Sequence, residues 1–537
     1  MLLAAVILVT GVPAIVAQES GISVVPRPVK VTPRAGRFVL TRDTTIWTDR
    51  ASTAIGHQLA RYLEPATGFT LPVRISAALL PHGIVLRRDR QLARLGREGY
   101  ALDVGPARVV ARAPEDAGLF YAVQTIRQLL PPEILREAAV AGQTWAMPAV
   151  TIEDAPRFAW RGGHLDTGRH FMPLGFVKKY IDLLALHKMN TFHWHLTEDQ
   201  GWRIEIKKYP KLTSVGAWRK ETIVGRPARD RAQWTFDGER HGGYYTQDDV
   251  REAVAYAKAR FITIVPEIEM PGHAMAAIAA YPQIGVTGEP VEVATRWGIF
   301  DDILNAEPAT ISFMQDVLSE VLTLFPGPYV HIGGDEAAKT KWKASPKIQA
   351  RIKELGVGDE NGLQSWFIRQ MDAFLTAHGR RLVGWDEILE GGLAENATVM
   401  SWRGTQGGIA AARAGHDVVM TPTSNTYFDY YQSRDTNAEP IAIGGFLPLE
   451  TVYAYEPVPA ELEKDKVRHI LGAQGQLWTE YMKDPRKVEY MAFPRMSALS
   501  EVVWTPAARK DFGDFRARLE THVKRLKALD VNVRPLQ

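Results

Sequence analysis

The chain has 537 residues, of which 46% are hydrophobic and 23% charged, ordinary globular values that exclude disordered and fibrous classes. Its 64 Lys plus Arg against 61 Asp plus Glu give a net charge of +3 without long like-charge blocks, which offers no nucleic-acid-binding stripe. The lack of cysteine excludes disulfides, thiolate nucleophiles, Cys-type zinc sites and iron–sulfur clusters, while 14 Trp supply flat faces of the kind that pack on sugar rings.

In chain order, residues 1–17 are almost wholly apolar, end in small residues and precede the polar Gln18-Glu19-Ser20. That is the h-region and cleavage pattern of a secretory signal, so export to the periplasm or the medium is expected. The run is short for a membrane span and no later segment reaches about 18 apolar residues, so no membrane insertion is expected. Residues 18–155 read as a small α+β domain. Gly36–Leu40 and Gly83–Leu86 have strand patterns, and Ala54–Leu63 and Asp116–Leu130 have helical ones. Gly99–Val104 and Arg108–Ala111 read as an antiparallel hairpin. No cluster of catalytic residue types falls in this region, which points to a supporting role.

Residues 156–509 alternate strand and helix. The predicted strands are Ala159–Asp166, Thr191–Leu196, Ile262–Ile268, Tyr329–Ile332, Arg381–Trp385, Thr398–Trp402, Asp417–Thr421 and Gly472–Leu477. Helical periodicity marks Leu174–His187, Thr246–Arg260, Leu363–His378 and Thr405–Ala414 between them. Eight such units over about 350 residues predict a (β/α)8 TIM-like barrel. A doubly wound sheet is the alternative, but the chain has no Gly-rich phosphate loop. Residues 510–537 are expected to form a C-terminal helix packed on the barrel.

Active sites of such barrels lie at the C-terminal strand ends, and here those ends carry acids, His, Arg and Trp in seven of eight cases. Asp335-Glu336 is the sharpest feature. Two carboxylates held close cannot both ionise easily, which raises one pKa and suits a general acid. Gly333-Gly334 before them allow close backbone approach to a ligand. Trp385, Trp402 and Trp478 end three further strands and read together as a cage around a sugar ring. A metal hydrolase is a rival reading, with His193, His195, Asp199, His273 and Asp335 as conceivable ligands. A carbohydrate-binding barrel without catalysis is another.

Residues 159–505 resemble the catalytic domain of the family 20 glycoside hydrolases, the exo-β-N-acetylhexosaminidases. The matching motifs are Leu165 to Phe171, His193 to Arg203, Pro266 to His273, His331 to Glu336, Gly384 to Glu387 and Trp478 to Glu480. The preceding domain resembles the family's N-terminal α+β domain. The resemblance implies retaining, substrate-assisted hydrolysis of terminal β-linked N-acetylhexosamine through an oxazolinium ion, without metal or cofactor. It implies Glu336 as general acid and base, Asp335 as the partner of the acetamido N–H, and Tyr427 as donor to the acetamido oxygen. It also implies Arg169 and Glu480, assisted by Asp429, as ligands of the ring hydroxyls. It further implies that Trp385, Trp402 and Trp478 enclose the ring and that Asp199, Glu269 and His273 orient Glu336. Glu269 stands where many members have Asp, which lengthens its reach toward His273. Tyr455 stands where relatives often place a Trp near the leaving group. Residues 203–245 and 281–310 are expected near the mouth, closing a pocket for exo action on an oligosaccharide or glycoconjugate. A disaccharide-releasing relative, such as a lacto-N-biosidase, needs a wider pocket.

Overall fold

The computed structural model describes residues 22–76, 80 and 82–536, so the apolar leader expected at 1–17 lies outside the described residues. The first domain is built on seven strands: β1 (Lys30–Val39), β2 (Ile46–Thr48), β3 (Val73–Ile75), β4 (Gly83–Arg88), β5 (Tyr100–Val104), β6 (Arg108–Ala113) and β7 (Ala146–Asp154). They form one mixed sheet in the order β1-β7-β5-β6-β4-β2-β3. In β5 the period-two pattern buries Tyr100, Leu102 and Val104 on one face. β5 and β6 form the expected antiparallel hairpin, with Leu102 opposite Ala111.

Helices α1 (Thr53–Thr67) and α2 (Asp116–Leu129) pack on this sheet. α2 is buried nearly all round because it is sandwiched between the sheet and the second domain. Its Phe120 ring lies 5.4 Å from that of Phe261, and Tyr121 lies 5.3 Å from Trp504.

The second domain contributes β8 (Trp160–Asp166), β9 (Thr191–His195), β10 (Thr263–Met270), β11 (Tyr329–Gly333), β12 (Arg381–Trp385), β13 (Thr398–Ser401), β14 (Val418–Met420) and β15 (Ile470–Gly475). All eight pair in parallel and close into a barrel in chain order. Every residue of β8 and β9 is buried, as expected of parallel strands filled inside and covered outside by helices. The outer helices include α3 (Leu174–Leu186), α4 (Gln247–Lys258), α5 (Pro308–Leu324), α6 (Glu360–Ala377), α7 (Gln406–Ala414) and α8 (Arg495–Trp504). α4 starts at a capping box in which the Thr246 hydroxyl accepts from Asp249 N and Asp249 accepts from Thr246 N. Since every strand runs the same way, all eight C-terminal ends open on one face.

The opposite face is locked to the first domain by buried charge. Arg161 of β8 pairs with Glu98 at 2.6 Å. Lys188 pairs with Asp154 at 2.9 Å, both side chains fully buried. Asp154 also accepts from Tyr100 Oη at 2.7 Å, Trp504 Nε1 at 2.9 Å and Val29 N at 2.9 Å, so one carboxylate ties together the sheet, α8 and the loop after α3. The C-terminal helix α9 (Phe512–Ala528) buries Phe515, Leu519 and Leu526 and spans both domains. Its Arg518 pairs with Glu501 of α8 at 2.7 Å and donates to Val24 O at 2.7 Å.

Removing one partner of a buried pair strands the other charge, which typically costs about 3–5 kcal/mol. Asp154→Ala is therefore expected to lower unfolding stability by roughly that amount in urea titration. Asp154→Ala with Lys188→Met should recover part of the loss, because the stranded ammonium is then gone.

Candidate active site

The strand ends converge on a cavity of about 370 Å³. Arg169 reaches it from beyond β8, His273 from beyond β10, and Asp335 and Glu336 from the turn after β11. Trp385 is the last residue of β12, and Trp402 follows β13. Tyr427 and Asp429 follow β14, held by the bond from Phe428 N to Gln476 O at 2.9 Å. Trp478 and Glu480 follow β15. Positions more than 300 residues apart in the chain thus share one pocket, which barrel closure alone achieves.

The aromatic side chains form a continuous wall. Trp402 stacks on Tyr427 with centroids 6.1 Å apart, and Trp478 lies 6.4 Å from Tyr427 and 5.7 Å from Trp385. Both outer indoles are fixed by carboxylates behind them: Trp402 Nε1 donates to Glu387 and Trp385 Nε1 to Glu267, each at 2.8 Å.

Arg169 sits among three acids, 3.2 Å from Asp166, 3.0 Å from Glu198 and 3.5 Å from Glu480. Glu198 is 3.0 Å from His273 Nδ1 as well, so one buried oxygen links the arginine to the histidine. Burial opposes ionisation of Glu198, but Arg169 and His273 hold its carboxyl well below the usual range. Burial likewise opposes a charge on His273, yet Glu198 and Asp199 pull its pKa well above that of a free imidazole. His273 Nε2 then faces the acid pair, 3.7 Å from Asp335 and 3.5 Å from Glu336.

The pair itself is asymmetric. The Asp335 side chain is 12% exposed and that of Glu336 31%. Burial, reinforced by Glu267 and Glu336, pushes Asp335 up to about 7 despite the opposing pull of His273. Glu336 holds a left-handed backbone conformation, φ 44°, a strained state for a residue other than glycine.

Three expectations need correction. Glu269 does not reach His273: Asp199 holds that ring at 3.0 Å, and no hydrogen bond forms at the Glu269 carboxylate. Its extra methylene carries it instead into the space beside Gly333, where a Cβ would overlap it. Gly333 and Gly334 therefore make room for Glu269 and Ile388, not for a ligand. Their φ angles of 69° and 88° also suit glycine. Tyr455 is buried at the end of a short helix, Leu449–Ala454, and takes no part in the cavity wall. Asp199 is also outside the wall and acts on it through His273.

Glu198, Glu267 and Glu387 join the site without standing out in the sequence, although each lies inside one of the motifs at the strand ends. Of residues 203–245 and 281–310, expected near the mouth, Pro227, Trp297 and Ile299 line the cavity. Trp297 is braced by His170, with ring centroids 5.2 Å apart, and by Arg219, 5.3 Å from its ring.

His193, Glu267 and His331 bring potential ligand atoms within 4.8 Å of one another, as do His164, His195 and Glu267. Glu267 already faces His193 at 3.0 Å, His331 at 2.9 Å and His195 in a short contact. Although burial opposes it, Glu267 pulls His195 up to about 10, whereas burial holds His193 down at about 4, so the carboxylate is paired with a charged ring on one side and a neutral ring on the other. The cluster reads as a compensated buried charge that also anchors Trp385.

A carboxylate pair, an arginine and an aromatic cage at the mouth of a closed (β/α)8 barrel define a sugar-processing hydrolase. Residues 158–507 match the model of glycosyl hydrolase family 20, catalytic domain, and residues 21–155 that of glycosyl hydrolase family 20, domain 2. A β-hexosaminidase of Porphyromonas gingivalis is 46% identical over 517 residues; the match covers 96% of this chain and 64% of that protein's length. The structure of the family 20 β-N-acetylhexosaminidase from Streptomyces coelicolor A3(2) superposes with a TM-score of 0.83 at 34% identity, covering 96% of this chain and 98% of that one. A mutant Streptomyces plicatus β-hexosaminidase in complex with its product GlcNAc gives 0.83 at 34%, covering 96% and 97%. The chain belongs to glycosyl hydrolase family 20. It is a glycoside hydrolase of the β-N-acetylhexosaminidase type.

The raised carboxyl of Asp335 makes a prediction about stability. Between about pH 4 and 7 the folded protein keeps a proton that the unfolded chain has released, so this group's contribution to stability falls as pH rises through that window. Asp335→Asn removes the penalty. It is expected to be more stable than the wild type by a few kcal/mol at pH 8, on the order of 1.4 per pKa unit, and no more stable at pH 4. Denaturant midpoints at the two pH values check this; a pH-independent difference contradicts it.

Proposed function

We propose that the protein removes terminal non-reducing β-linked N-acetylhexosamine, GlcNAc or GalNAc, from oligosaccharides or glycoconjugates with retention of configuration, the substrate's own acetamido oxygen serving as nucleophile. The observation that carries this reading is the division of the acid pair. Asp335 lies deep beside Tyr427 and the tryptophan wall, and Glu336 lies nearer the solvent. A group that protonates a leaving oxygen and then activates water belongs where the leaving group exits and water enters. A group that stabilises an acetamido nitrogen and a developing oxazolinium charge belongs in the enclosed part, where its field is strongest. Tyr427, from the same wall, donates to the acetamido oxygen and aims it at the anomeric carbon, while the indoles exclude water from the reacting centre. Arg169, Asp429 and Glu480, which line the same cavity, take the ring hydroxyls.

The product GlcNAc in the Streptomyces plicatus structure supports the same substrate class. The volume of about 370 Å³ is at the small end for ligand sites and favours one sugar ring over a disaccharide. Lacto-N-bioside glycosides are accordingly expected to be poor substrates. Export through the apolar leader at residues 1–17 completes the proposal, and no helix among the described residues is long and apolar enough to cross a membrane.

Glu336→Gln is expected to lose activity chiefly on substrates with poor leaving groups, because an acidic phenol needs little proton donation. An equal loss across an aryl series would show that Glu336 is not the acid. The tethered nucleophile predicts hydrolysis of β-GlcNAc far faster than of β-glucose with the same leaving group, since intramolecular attack can supply roughly 7–11 kcal/mol. Asp335→Asn should be severely impaired on β-GlcNAc, and NMR should find the β-anomer released first. Early α-anomer, or a glycosyl group trapped on Asp335 or Glu336, would refute the mechanism.

A further inference from the structure

The cavity mouth carries apolar surface that a hexosamine does not need. Ile299 (53% exposed) and Ile443 (40%), which line the cavity, are among the large hydrophobic side chains that face solvent, as are Val224 (54%) and Ile441 (42%) on the adjoining chain segments. Pro227 lines the cavity as well. The segments are joined by hydrogen bonds: Ile223 N donates to Thr295 O at 2.8 Å, and Arg226 Nη2 donates to Ala442 O at 2.8 Å. Arg226 also lies over the Tyr431 ring, 5.4 Å from its centroid, which fixes its loop to the one carrying Ile443. The rim is thus preorganised while its aliphatic groups stay in water, the mark of a surface covered by a ligand or partner.

Its continuity with the cavity identifies the occupant. Glu336 lines the same cavity as Ile299, Ile443 and Pro227, so a leaving group that it protonates lies next to this rim. Aliphatic and prolyl side chains offer no donor or acceptor for sugar hydroxyls, whereas the inner cavity, built for a sugar, is lined by Arg169, Asp429 and Glu480. We propose that the rim binds an apolar leaving group, an alkyl or aryl aglycone of a glycoconjugate, in preference to a second sugar. This rests on the hydrolytic reading of the cavity given above.

The test is a series of alkyl β-N-acetylglucosaminides from methyl to octyl. Their leaving alcohols are of similar acidity, so chain length alters binding without altering bond cleavage. We expect kcat/KM to rise about tenfold or more from methyl to octyl, mainly through KM, as methylenes are covered by the rim. In an Ile299→Ser, Ile443→Ser variant with an unchanged circular dichroism spectrum, the octyl-to-methyl ratio should fall toward one. Rates independent of chain length, an equal loss on both substrates in the variant, or sedimentation showing that a second copy of the chain covers the rim would each overturn the proposal while leaving β-GlcNAc hydrolysis in place. Failure to cleave even the methyl glycoside would instead strike the functional reading itself.

Discussion

The mouth of the barrel is organised by the charge balance around Arg169. Its guanidinium faces Asp166, Glu198 and Glu480, and Glu198 passes the connection on to His273. Buried acids are costly unless paired, and one cation supports three of them, which come from the ends of β8, β9 and β15. His273, from beyond β10, joins as a second cation because Glu198 and Asp199 favour its charged form. Four strand ends are thereby bound into one network, and the acid pair beside His273 inherits a fixed position.

The network does not neutralise everything. Asp335, Asp429 and Glu269 are all pushed above the usual carboxylate range, with burial the leading cause in each. A site that keeps carboxyls short of partners is less stable than it could be, and gains groups whose proton affinity a bound substrate can change. The other end of the barrel shows the opposite arrangement. There Arg161 with Glu98 and Lys188 with Asp154 are closely paired, buried or nearly so, and embedded in aromatic rings. Stability is concentrated where the first domain docks, and reactivity where the strands end.

Much of this was legible in the chain. The eight strands are short apolar runs between helical periodicities, and such patterns depend on local backbone geometry alone. The observed strand bounds agree with the expected ones to within two or three residues. The motif residues His331 to Glu336 and Trp478 to Glu480 likewise stand out because acids and tryptophans at strand ends are unusual whatever surrounds them.

Other features were decided only by tertiary packing. Glu198 and Glu267 sit in the same motifs as the residues singled out, but whether a glutamate faces a cation or water depends on which strands are neighbours and in what register. The fate of Glu269 turned on an empty space beside Gly333, and that of Tyr455 on the direction in which a short helix ended. The apolar rim depends on three loops distant in sequence being tied together by one backbone hydrogen bond and one from the Arg226 side chain. Sequence by itself determined the elements, the barrel and the chemical types at its mouth, because these follow from local periodicity and residue chemistry. The pairing of charges and the shape of the entrance came from the closed structure, because they are relations between residues that only closure brings within reach.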